Sequence, residues 1–134
     1  MRIKNALFIL IIILMVVLSF ESCSLFGTKI DERIDAFISD LNSDRNNVYT
    51  NFHPDKTADY NAIKDPTLTW DIWFPAAETY SLSNLDDGDS DSVTATITST
   101  DVGWGSKSAI FRMAKDGFDW MIEELTLAGT KIVQ

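Results

Sequence analysis

The chain has 134 residues and carries 20 acidic against 11 basic side chains, a net charge of −9. That length bounds it to one domain, and the acidic balance disfavours phosphate backbones, so no nucleic acid is expected among its partners. One cysteine excludes a disulfide within the chain, which leaves packing, with its aromatic residues, to hold the fold.

Residues 1–22 have the three-part layout of a secretory signal peptide. Arg2 and Lys4 form a basic start, Ala6 to Leu18 is an unbroken apolar run, and small residues follow at Ser19, Ser22 and Ser24. The alternative is a retained membrane anchor. Spanning takes about 20 apolar residues, whereas this run has 13 and is stopped by Glu21. Cleavage before Cys23 removes 22 of the 134 residues and leaves 112, enough for one modest core. It also removes Arg2, Lys4 and Glu21, which takes the net charge to −10.

The stretch Phe20-Glu21-Ser22-Cys23 resembles the lipobox of bacterial lipoproteins. Ser22 matches the small residue before the cysteine. Phe20 and Glu21 depart from the usual Leu and small residue, as in the relaxed lipoboxes of spirochaete lipoproteins. The resemblance implies that Cys23 is acylated and becomes the mature N-terminus, tethered to a membrane of the cell envelope, at the outer membrane or the periplasmic face. Such an anchor is physically effective, because each buried methylene contributes about 0.8 kcal/mol. Ordinary cleavage with a free Cys23, using Ser22 and Ser24 as the small residues of the site, is the other reading. Residues 23–28 then form the lipidated N-terminus and tether, and 29–134 form the domain.

Within that domain, Ile30, Ile34, Phe37, Ile38 and Leu41 recur at helical spacing, which predicts an amphipathic helix with Thr28 as its N-cap. "LNSDRNN" ends it, because Asn, Ser and Asp compete with helical hydrogen bonding. A second short helix is expected near Asn46 to Asn51, then a loop punctuated by Pro54 and Pro66. "TLTWDIWF" fits either type: Trp70, Ile72 and Phe74 alternate as in a strand, while Trp70, Trp73 and Phe74 fit a helical turn.

The remainder reads as strands. "TYSLSNL" and "VTATITST" flank the polar turn "DDGDSDS", with Val93, Ala95 and Ile97 on one face. "SKSAIFRMA" and "FDWMIEELTL" flank the tight turn "KDG". Phe118, Trp120 and Ile122 share one parity and Leu125 and Leu127 the other, which predicts a bulge or two buried faces near Glu123 and Glu124.

Helices followed by an antiparallel meander make an α+β pattern, a helix packed on a sheet. The segments KIDERIDAFISDLN and SKSAIFRMAKDGFDWMIEELTL resemble the NTF2-like (cystatin-like) fold, in which an N-terminal helix packs into a curved antiparallel sheet. That resemblance implies a final hairpin ending in an aromatic-rich strand and, in many such domains, an apolar pocket between helix and sheet. Trp70, Trp73, Phe74, Trp104, Phe111 and Trp120 are the candidates to line it, although aromatics at such positions are more often plain core.

Chemistry-bearing motifs are sparse. His53, in "NFHPD", is the sole histidine, and an acid–base role would pair it with Asp55 or Asp59; a loop histidine beside a proline is the commoner case. Asp87, Asp89 and Asp91 alternate like the start of a calcium loop, but Ser92 and Thr98 stand where Gly and Glu are required. Gly103-Trp104-Gly105 is too short for a phosphate loop and lacks its Lys. No cofactor or metal is expected. The expected function is a non-enzymatic domain that binds a small apolar ligand or an envelope protein. The alternative is an NTF2-like enzyme with a pocket His or Asp as base.

Overall fold

A computed structural model describes residues 27–86 and 91–134, apart from the side chains of Leu68 and Thr69. The expected signal peptide 1–22, Cys23, most of the expected tether and residues 87–90 of the acidic turn lie outside the described residues.

The apolar stripe at the start of the domain folds as α1 (Ile30–Ser43), which buries Ile34, Phe37, Ile38 and Leu41. Its N-cap is Lys29 and not Thr28. The Glu32 carboxylate accepts from the Lys29 N–H at 3.2 Å, satisfying a donor that has no helical partner. Thr28 is engaged elsewhere: its N–H donates to the Asp119 carboxylate at 2.7 Å, and its carbonyl accepts from the Trp120 N–H at 3.0 Å. The Thr28 backbone bond, followed by the Thr28 side chain, holds the Asp119 carboxyl below its ordinary range.

After Asp44 the chain tightens into a 3₁₀ helix, Arg45–Asn51, where sequence periodicity predicts a short helix. The ambiguous aromatic stretch is helical, as α2 (Pro66–Trp73). Two local features decide it. The Asp65 carboxylate accepts from the Thr67 N–H at 3.0 Å and from its hydroxyl at 2.7 Å, and Pro66 occupies the first turn, where its missing N–H costs nothing. Pro66 therefore opens an element where the sequence reading has it as loop punctuation. Trp70 and Phe74, one turn apart, both reach the core.

Five strands follow as an antiparallel meander in the order β1 (Tyr80–Asp86), β2 (Ser92–Ser99), β3 (Ser106–Asp116), β4 (Asp119–Leu127) and β5 (Thr130–Val133). In β2, Val93, Ala95 and Ile97 are buried on one face as their alternation predicts. The predicted bulge is present: Arg112 pairs with Glu124 and Met113 with Ile122, so Glu123 is the extra residue. It switches parity, and Ile122, Leu125 and Leu127 all enter the same core. Phe118 does not share a face with them, because it lies between the paired ends of β3 and β4 and is 75% exposed.

β5 has no forerunner in the sequence reading, and the sheet ends on TKIV, not on an aromatic-rich strand. The Ala128-Gly129 connection has φ of 48° and 83°, the two left-handed residues of a tight type I′ hairpin. Ala at the first position is not a residue that announces such a turn.

β5 pairs only with Leu125 to Leu127 of β4. The rest of that edge is capped by other segments. Thr28 takes its beginning, and the Phe52–Thr57 segment takes the bulge, where the His53 N–H donates to the Ile122 carbonyl at 2.7 Å and the Thr57 hydroxyl to the Glu123 carbonyl at 2.9 Å. These contacts leave little of β4 open to pairing with another chain.

The core between helices and sheet is organised around Phe37. Its ring meets Phe52, Trp70, Phe74 and Phe111 edge-on, with centroids 5.8, 5.7, 6.0 and 5.7 Å away. Each such pair contributes about 0.5–1.5 kcal/mol beyond area burial. Phe37→Ala is therefore expected to destabilise the domain by about 3–5 kcal/mol, read as a lowered urea midpoint. Phe37→Leu, which refills most of the space, should cost markedly less.

Candidate functional site

The six aromatic side chains singled out from the sequence do not line one cavity. Trp70, Phe74 and Phe111 are fully buried in the core. Trp73 and Trp104 line a cleft of about 280 Å³ together with Ile72, Lys107, Leu127, Ala128 and Thr130. Trp120 belongs to a separate open groove of about 580 Å³, shared with Lys56, Asp91, Arg112, Met113, Ala114, Lys115 and Glu123.

The cleft is built on rigid supports. Asp101 accepts from the Gly103 and Trp104 N–H groups at 3.2 and 3.1 Å, and Gly105 completes the loop with φ of 65°, a conformation suited to glycine. This loop lays the Trp104 indole against Phe74 and Tyr80, at centroid distances of 5.8 and 5.3 Å. The indole N–H donates to the Trp73 carbonyl at 3.0 Å, and the Lys107 ammonium lies 4.8 Å from the ring centroid. Trp73 and Trp104 stay half-buried, and Ile72 beside them is 68% exposed. The result is a shallow apolar cleft with two preorganised indoles and one cation. Its volume lies at the lower edge of small-molecule sites, which suits a single aromatic or aliphatic group.

Ile72, Leu127, Ala128 and Thr130 were not legible as cleft residues. In a strand reading Ile72 shares the inward face of Trp70 and Phe74, and only the helix turns it outward. The other three surround a hairpin that the sequence did not announce.

The larger groove has a different character. Lys56, Arg112 and Lys115 face Asp91 and Glu123 there. Arg112 approaches Glu123 at 3.5 Å, and the Lys115 ammonium lies 5.3 Å from the Trp120 ring centroid. Arg112 and Glu123 are thus paired with each other, and the groove is open to water.

His53 is 4% exposed, and both ring nitrogens are occupied. Nδ1 accepts from the Asp55 and Lys56 N–H groups at 3.1 and 3.2 Å. Nε2 therefore carries the proton and donates to the Lys115 carbonyl at 3.0 Å. Asp59, its proposed partner, accepts from the Gln134 N–H at 3.2 Å and secures the chain end. The ring clamps the loop to β3 and has no nitrogen left for a substrate. Among the described residues, no three His, Cys, Asp or Glu side chains are placed to hold a metal ion.

His53→Ala should lower stability by about 2–4 kcal/mol, since it deletes buried hydrogen bonds and leaves a cavity. Chemical denaturation checks the loss, and hydrogen exchange should rise at the Asp55 and Lys56 amides.

No family model matches the chain, and neither curated proteins nor solved structures give a significant match.

Proposed function

We propose that the chain is a bacterial envelope lipoprotein, tethered through an acylated Cys23 at the outer membrane or the periplasmic face. Its α+β domain is a non-enzymatic binding module of NTF2-like (cystatin-like) type. The bound group is apolar, a small ligand or a side chain of an envelope protein, and it enters the cleft of Ile72, Trp73 and Trp104.

The observation that carries the binding reading is Trp104, held by hydrogen bonds and stacking yet half open to solvent. Rigid aromatic anchors of this kind lose little entropy on binding and dominate recognition surfaces. The enzyme reading is weaker, because the one histidine has both nitrogens engaged. Among the described residues, the order of a long helix, short helical turns and a bulged antiparallel meander supports the fold assignment. The short apolar run and the serine before Cys23 support the anchor. Among the described residues no helix is long and apolar enough to cross a membrane.

Mass spectrometry of the mature protein should find the N-terminus at Cys23 with acyl chains attached; an unmodified cysteine, or a start at Leu25, would sink the lipoprotein reading. For the cleft, a photo-crosslinking benzoylphenylalanine at Ile72 should give one discrete adduct in cells that make the protein. Trp104→Ala should reduce that adduct at least several-fold, and the adduct's mass separates a small molecule from a protein. A smear of adducts unchanged by Trp104→Ala would remove the cleft as the binding site.

A further inference from the structure

The geometry points to the β3–β4 turn, with Phe118 at its tip, as the surface that seats the domain on a lipid bilayer. The inference rests on the lipidation of Cys23 and adds an orientation to it. The chain enters the domain at this turn. Gly27 has φ of 68°, and a Cβ there would collide with the Phe118 carbonyl, so only glycine permits the approach. Thr28 then bonds to Asp119 and Trp120 on the same hairpin.

Cys23 precedes Gly27 by four residues. At a maximum of ~3.6 Å per residue, whatever path they take, the Cys23 backbone stays within about 14 Å of the turn. The opposite end of the sheet is out of reach. β3 has 11 residues, a length of roughly 34 Å in a strand that rises about 3.4 Å per residue. The loop with Val102, at 94% the most exposed large hydrophobic side chain among the described residues, lies at that far end.

The turn has the composition that an interface favours. Phe118 is 75% exposed and has no packing role in the core. Trp120 is half-buried behind it, with Lys115 stacked on its ring. Aromatic rings flanked by lysines settle at the headgroup level of bilayers. Two carboxylates limit the depth. Asp119 is engaged by Thr28, and Asp116 is exposed beside the tip. The ring therefore enters shallowly while Asp116 stays in the headgroup layer, and an acidic chain of this kind gains nothing from anionic lipid. In this pose the Ile72–Trp104 cleft points away from the membrane. Its residue Leu127 lies eight positions along β4 from Asp119, about 27 Å from the bilayer end of that strand.

The test uses the full lipidated chain reconstituted into phosphatidylcholine vesicles that contain a lipid brominated near the headgroup. Phe118→Trp and Val102→Trp each add one indole, whose emission is read as the difference from the unsubstituted protein. The added emission of Phe118→Trp should be quenched at least twofold more than that of Val102→Trp, with neutral and anionic vesicles alike. Equal quenching, or stronger quenching at position 102, in vesicle-bound protein overturns the seating and leaves the anchor standing. Protein that stays off the vesicles with Cys23 unmodified by mass spectrometry overturns both.

Discussion

One ring holds this domain together. Phe37 projects from α1 and meets the rings of Phe52, just after the 3₁₀ helix, of Trp70 and Phe74 in and at the end of α2, and of Phe111 in β3. Without a disulfide, a small domain depends on dense aromatic contacts to outweigh its conformational entropy. Edge-on packing around one ring fixes the orientations of its neighbours as well as their burial. Because Phe74 is one of those neighbours, and because Trp104 packs on Phe74, the cleft inherits its rigidity from the core.

A second constraint is the edge of β4. β5 is too short to cover it, and an open edge invites pairing with another chain. The segment after the 3₁₀ helix solves this at the bulge, where the His53 N–H and the Thr57 hydroxyl satisfy Ile122 and Glu123 carbonyls on the part of the edge that β5 does not reach. His53 caps the edge through its backbone N–H, while its ring, with Nδ1 facing the Asp55 and Lys56 N–H groups and Nε2 the Lys115 carbonyl, ties the same loop to β3. The same edge receives Thr28, which brings the start of the domain to the β3–β4 turn. Edge protection and the place where the chain enters the fold are consequences of one arrangement.

These two constraints leave opposite ends of β3 and β4 with different characters. One end carries the entry of the chain and an exposed Phe118; the other carries the Ile72, Trp73 and Trp104 cleft. In the proposed tethered module this division keeps the cleft clear of the membrane, since a cleft beside its own anchor would be shielded by it.

Periodicity alone determined α1 and the inward face of β2, because in each the spacing of apolar residues has one compact solution; near Glu123 it left a bulge or two buried faces, and the register of β4 on β3 decides for the bulge. Other features needed the tertiary structure. The stretch around Trp70 satisfies two periods at once, and the cap at Asp65 together with the room beside Phe37 decides for helix. β5 depends on a turn whose first residue, Ala128, adopts a left-handed conformation that its side chain does not favour. The aromatic residues were legible as a set, but their division into core, cleft and groove was not. Composition shows that a ring wants burial, while only the packing of distant segments shows how many rings the core can take and which are left at the surface.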